Sequence, residues 1–441
     1  MMEYLPVILF ASIFLLILLG YPVAFTLGGI SVLVGIFVFD IDFFYLLSLR
    51  VYGTMQNFVL LAVPLFVFMG IMLEKSGIAE RLLETMAMLF GRFRGGLAIS
   101  VVVVGAMLAA STGIVGATVV TMGLISLPTM LKRGYGPRLS TGVIAASGTL
   151  GQIIPPSVVL VLLGSVLNVS VGDLFVAAIV PGIGLVACYL LYIVGYSLLY
   201  PEKSPAMPAR EVQEFRDKGL TREVLNSFVF PFLLILAVLG SIFAGIASPT
   251  EAAGVGAFGS FILAAFDGKV KLKVLKEVAK ETTMLTSMVF MILVGATAFS
   301  LVFRGLEGDR MFLDIIRSAD LSPTAFLVLV MLMVFVAGFF IDFIEIVFII
   351  VPVVTPIMVA MGIDLIWVGI LLAINLQTSF LTPPFGFALF YLKGVAPPEV
   401  KTKHIYQGII PFILIQLAFI ALLFLFPEIT ELLKFISFYS K

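Results

Sequence analysis

Cysteine, histidine and charge are all scarce in this chain of 441 residues. Cys188 is the only cysteine, so no disulfide can form within the chain. With His404 the only histidine, a zinc site of the usual Cys/His kind has too few ligands. The same shortage leaves few nucleophile–base pairs, and the chain does not read as an enzyme. No G-x-x-x-x-G-K-[ST] loop occurs, so it carries no ATP-binding motif of a pump. Formal net charge is zero, which gives no electrostatic footprint for nucleic acid. Charged residues make up 12% and hydrophobic ones 61%, against roughly 25% charged in soluble domains. These proportions predict an all-α polytopic membrane protein. The opening "MMEYLPVILF" has neither the basic region nor the cleavage site of a signal peptide, so residues 4–20 are expected as a retained first span. Cys188 is expected as a small packing or lipid-facing residue, and His404 as an interfacial one.

Apolar runs fall at about 4–20, 22–39, 57–73, 97–131, 140–164, 174–199, 228–246, 252–267, 284–303, 323–358, 365–392 and 406–426. One crossing takes roughly 20 residues. The runs 97–131 and 323–358 are too long for that, and each reads either as two full spans or as a re-entrant helical hairpin. Both options give the same charge sorting. Twenty of the 26 Lys/Arg fall on one side, which the positive-inside rule makes cytoplasmic; Arg50, Arg304, Arg310, Arg317, Lys434 and Lys441 fall opposite. Residues 201–227 form the one long polar segment, a cytoplasmic linker between 1–200 and 228–441. Residues 74–94 place Leu82, Met86 and Leu89 at helical spacing and predict an interfacial helix, with 307–320 as its counterpart.

The two parts repeat. At an offset of 228, Gly28 falls on Gly256, Gly77 on Gly305, Pro128 on Pro356, Gly134 on Gly362, and Pro155–Pro156 on Pro383–Pro384. An odd number of crossings per part inverts the second relative to the first. Each inverted repeat then holds about five transmembrane helices plus a hairpin, and a span broken by Pro-Pro at about 140–164 or 365–392. Proline breaks a helix, and a break at membrane depth is tolerated where it is buried in protein or lines a cavity. Paired interrupted helices in inverted repeats point to the binding site of a secondary transporter.

Polar residues gather at these places. The first hairpin carries Ser111, Thr112, Gly113, Gly116 and Thr118; the alternative for its small residues is close helix packing. The second carries Gly338, Asp342 and Glu345 in an apolar run. The two acids, three apart on one helix face, read as cation attraction, proton coupling or gating, or else as an ion pair with Arg304. Asn375, Gln377, Thr378 and Ser379 precede the second Pro-Pro break. Glu251 reads as an interfacial carboxylate or as part of the pathway.

"ASTGIVGATVV", "KRGYGPRLSTGVIAASGTLGQIIPPS" and "NLQTSFLTPPFG" together resemble the large membrane subunit of the tripartite ATP-independent periplasmic (TRAP) transporters, over essentially the whole chain. The resemblance implies an elevator mechanism, with a transport domain holding hairpins and broken helices that slides against a scaffold. It implies Na⁺-driven uptake, a periplasmic binding protein that delivers an organic acid, and a small four-helix membrane subunit. By position it implies a first Na⁺ site at Ser111, Thr112, Gly151, Ile154 and Pro156, and a second at Gly338, Ser379, Thr382 and Phe385. Gly113, Ser157, Asp342, Glu345, Asn375 and Gln377 are the substrate or gating candidates. No cofactor beyond the coupling ion is implied, and the bacterial or archaeal inner membrane is the implied location. Many members read Ser-Gly-Ser at the first tip, where this chain has Thr112-Gly113-Ile114; many read Gly where it has Ser379. These departures suit a substrate other than sialic acid or a C4-dicarboxylate, such as a 2-oxo or 2-hydroxy monocarboxylate. A stand-alone anion symporter and a channel are the alternatives.

Overall fold

The computed structural model describes residues 4–112, 115–217 and 223–433. All regular structure among them is helical. The first half runs α1 (Leu5–Leu18), α2 (Val23–Val38), α3 (Tyr45–Met55), α4 (Ala62–Lys75), α5 (Ile78–Phe90), α6 (Gly96–Thr112), α7 (Val115–Lys132), α8 (Pro137–Thr149), α9 (Val158–Leu167) and α10 (Val171–Leu199). The polar segment holds α11 (Ala209–Asp217). The second half runs α12 (Phe230–Phe243), α13 (Pro249–Phe266), α14 (Leu272–Gly305), α15 (Gly308–Ser318), α16 (Pro323–Ala337), α17 (Phe343–Ile349), α18 (Val351–Ala360), α19 (Leu365–Leu381), α20 (Phe387–Val395) and α21 (Thr402–Leu425).

Shifted by 228, α1 lands on α12, α2 on α13, α4 on the second part of α14, α5 on α15, and so on to α10 on α21. Packing follows the same symmetry. α2 lies along α14, and its mate α13 lies along α4. Glycines permit these close approaches. A Cβ on Gly28 would sit 3.7 Å from the Cα of Gly295, and one on its mate Gly256 would press on Met69 Sδ at 2.7 Å. α8 meets α21 backbone to backbone, Gly142 against the Gly408 carbonyl.

One departure from the repeat was missed in the sequence. α3 is a separate helix, joined to α4 through a 3₁₀ turn at Phe58–Leu61 whose Val59 N–H is capped by Asn57 at 3.1 Å. Its mate is fused into α14, 34 residues long and roughly 51 Å at 1.5 Å per residue.

Seven helices among the described residues are long and apolar enough to cross a bilayer, α10, α14 and α21 among them. Large side chains such as Phe25, Phe37 and Leu198 stand exposed on the outside, as expected where acyl chains replace water. The chain is a multi-pass membrane protein. Ion pairs join segments that charge sorting places together: Lys75 with Glu281 at 2.7 Å, Arg81 with Asp267, and Arg133 with Glu211 of α11 at 2.6 Å.

In amphipathic α5, Leu82 and Met86 are buried but Leu89 is exposed, so it does not share their packed face. Glu251 closes a capping box with Ser248 at the start of α13. His404 sits in the first turn of α21, where its Nδ1 accepts from the Lys401 N–H at 3.3 Å.

Candidate functional site

Both Pro-Pro positions end a helix. α8 runs into a 3₁₀ turn, Leu150–Gln152, and the backbone stays irregular until α9 starts at Val158. α19 stops at Leu381, Thr382 is extended, and α20 restarts at Phe387. The Pro155–Pro156 and Pro383–Pro384 bonds are both cis. Ser157 restarts the first helix: its Oγ accepts from the Leu160 N–H at 3.4 Å and donates to the Gln152 carbonyl at 3.0 Å. As a substrate candidate it is therefore already engaged as a cap.

The expected first ion site is partly in view. Gly151, Ile154 and Pro156 share the broken segment, and Gly151 and Pro156 are buried. Gly113 lies outside the described residues, as do the side chains of Ser111 and Thr112. The sequence reading overlooked Gln152. Its side chain is fully buried within the break, and neither amide atom has a hydrogen-bond partner among the described residues. Buried amides are ordinarily satisfied, so this pair of atoms suits a bound ion or water. A polar residue three places before Pro-Pro in "LGQIIPPS" was the available signal.

The expected second site is more fully assembled. Gly338 ends α16 directly against Ser379 of α19; a Cβ at Gly338 would overlap the Ser379 Oγ. Ser379 Oγ donates to the Leu376 carbonyl at 2.8 Å, and Thr382 Oγ1 to the Thr378 carbonyl at 2.8 Å. Phe385 sits in the same break, but its ring points outward against Phe340, 5.2 Å between centroids, so only its backbone can serve a ligand. Asn375 ties α19 to α16 by donating to the Met331 carbonyl at 2.7 Å. Gln377 is fully buried and its amide makes no hydrogen bond of ordinary geometry among the described residues.

The acids of the second hairpin need correction. Asp342 is not on a helix face with Glu345; it is the N-cap of α17. Its Oδ1 accepts from the Phe343 N–H at 2.7 Å, and Glu345 Oε2 accepts from the Asp342 N–H at 3.1 Å, a capping box. Neither pairs with Arg304, which bonds Asp309 at 3.4 Å.

A cavity of about 480 Å³ lies where these parts meet. Val115, Val158, Phe343 and Phe387 line it, and each is the first residue of its helix: α7, α9, α17 and α20. Four helix N-termini thus converge on one space. Each carries the equivalent of roughly half a positive charge, although α17 already spends its end on Asp342. Asp342, Phe380 and Tyr391 complete this wall, and Val67 of α4 with Leu285, Met288 and Val289 of α14 close the opposite one.

The family model described as "Tripartite ATP-independent periplasmic transporter, DctM component" matches residues 10–429. The chain belongs to this family. A TRAP relative, the C4-dicarboxylate large permease protein DctM of Pseudomonas aeruginosa, is 32% identical over 405 residues, covering 91% of this chain and 92% of that one. The ectoine TRAP large permease TeaC of Halomonas elongata is 28% identical over 435 residues, covering 98% and 99%. The crystal structure of the YdaH transporter of Alcanivorax borkumensis, described as having an unusual topology, shares the fold at TM-score 0.64 with 15% identity, over 96% of this chain and 98% of that one. The TRAP large subunit is a transporter permease, and its relatives are named for chemically different substrates.

Proposed function

We propose that this TRAP subunit imports a small organic carboxylate, coupled to Na⁺, by an elevator motion. The observation that carries the reading is the convergence of four helix N-termini on one cavity between two broken helices and two hairpins. Such ends favour an anion, while carbonyls freed at the breaks suit a hard cation. Gly151, Ile154 and Pro156 with Gln152 would hold one ion, and the backbone around Gly338, Ser379, Thr382 and Phe385 the other. Asp342, the one charged group among the described lining residues, accommodates an anion only beside bound cations or when protonated.

The helices α1, α2, α4 and α12–α14 form the scaffold in this reading, and the hairpins, broken helices, α10 and α21 form the moving body. The apolar wall of α14 between them lets one slide past the other without breaking many polar contacts. A periplasmic binding protein delivers the substrate, and a small four-helix subunit covers scaffold surface in the inner membrane. The test is uptake into proteoliposomes. Accumulation of a carboxylate should require an inward Na⁺ gradient, the small subunit and the loaded binding protein together. Accumulation without the binding protein refutes the tripartite reading, and gradient-independent flux refutes coupling.

A further inference from the structure

The cavity at the hairpins has a mate. A second space of about 390 Å³ is lined by Arg50, Thr54, Asn57, Ser165, Thr297 and Ser300, among others. Asn57, Leu60 and Phe348 line this vestibule; shifted by 228 they become Leu285, Met288 and Val120, which line the cavity. The repeat therefore makes two related spaces where helices of the scaffold meet those of the moving body.

Their chemistry is not symmetric. The cavity's scaffold wall offers Leu285, Met288 and Val289. The vestibule offers Asn57 and Arg50, and the position equivalent to Arg50 is Val278, which is fully buried. Arg50 has no hydrogen-bond or ion-pair partner among the described residues. The charged group that bears on it is another cation, Arg304, itself paired with Asp309. Charge sorting places Arg50 on the extracytoplasmic side. Asn57 Nδ2 donates to Ser165 Oγ at 3.1 Å, joining the chain after α3 to α9 beside the vestibule. Phe348 packs there, six residues or roughly 9 Å of helix beyond the hairpin end at Asp342.

We propose that Arg50 forms an extracytoplasmic anion-capture site that takes the carboxylate of a small organic acid before the hairpins receive it. The proposal rests on the carboxylate-import reading. When the moving body shifts outward, the two mates exchange roles, and hairpin ends that now face Leu285 and Met288 come to face Asn57 and Leu60. A guanidinium offers a planar fork of donors suited to a carboxylate. The inner wall has no equivalent cation, so the anion is attracted on arrival and not retained on release. Because Arg50 is exposed, the attraction is screened by salt.

The test uses the complete three-component complex in proteoliposomes. In a Cys188→Ala background, Thr54→Cys reports on the vestibule through its reaction with anionic sulfonatoethyl and cationic trimethylammonioethyl methanethiosulfonate. The anionic-to-cationic rate ratio should fall roughly tenfold on Arg50→Gln and recover in Arg50→Lys. In uptake, Arg50→Gln should raise the half-saturating concentration of loaded binding protein several-fold, with the maximal rate little changed and the effect fading at high salt. An Arg50-independent ratio overturns the site. Weaker docking of the empty binding protein in Arg50→Gln also overturns it, by making Arg50 a protein contact. If the ratio depends on Arg50 but wild type carries no carboxylate, the anion site stands and the substrate reading falls.

Discussion

Thr121 Oγ1 donates a 2.6 Å hydrogen bond to Glu74 Oε1, joining α7 of the first hairpin to α4. The positions equivalent to these residues are Ile349 and Val302, so the second half has no matching bond. Lys75, beside Glu74, reaches α14 through Glu281.

In an elevator cycle the Thr121–Glu74 bond belongs to one end state only. Thr121→Val leaves a part-buried carboxylate without its donor, a cost of about 1–2 kcal/mol. That shifts the balance between end states by roughly 5–30-fold. Spin labels at Lys269 and Lys401 should then show a second distance population. One unchanged distribution would show that the bond does not discriminate between states.

Gly338 of the second hairpin lies directly against Ser379 of its broken helix. Gly338→Ala forces a Cβ onto the Ser379 Oγ, so sodium dependence should weaken while expression persists. Adding Ser379→Gly removes the clashing hydroxyl and should restore much of the loss, because neighbouring substitutions are non-additive. Equal sodium dependence in both single and double variants would refute a shared site.

At α11 the Arg133 guanidinium holds the Glu211 carboxyl below the usual carboxylate range. A lowered value means the pairing contributes fully above the unfolded carboxyl's pKa of about 4.3 and is lost as pH falls through the lowered value. Docking of α11, followed by limited proteolysis of the polar segment, should therefore be flat from about pH 5 to 8. It should loosen in high salt and in Arg133→Glu, and recover in Arg133→Glu combined with Glu211→Arg. Sensitivity that begins near neutral pH would assign the docking to another group.

Much of this architecture was readable because proline is so costly in an apolar run. Pro155–Pro156 and Pro383–Pro384 located both breaks, and the shared offset tied them together. The helix α3 escaped notice because "YLLSLRVYGTM" is short and carries Arg50, interrupting the apolar pattern. Asp342 and Glu345 have the spacing of one helix face, but D-x-x-E is also a helix-start signature, and Asp342 caps α17 while still lining the cavity. The cavity wall itself was not legible, since Tyr391 and Leu285 meet it only through tertiary packing.

Gln152 separates an ion site from mere packing. Its amide is fully buried, and both polar atoms are unpaired among the described residues. If the break only packs, Gln152→Leu removes an unpaid desolvation cost at similar volume, and the protein should gain stability with transport intact. If the amide oxygen ligates sodium, the same change removes a ligand. We expect the half-saturating sodium concentration for uptake to rise by at least tenfold, about 1.4 kcal/mol. Melting in sodium-free detergent should be unchanged or higher, while the rise in melting temperature on adding sodium shrinks, because that rise measures ion binding to the folded state. Full uptake at unchanged sodium affinity, with the sodium-induced shift preserved, would leave Gln152 a packing residue and move the first ion away from the break.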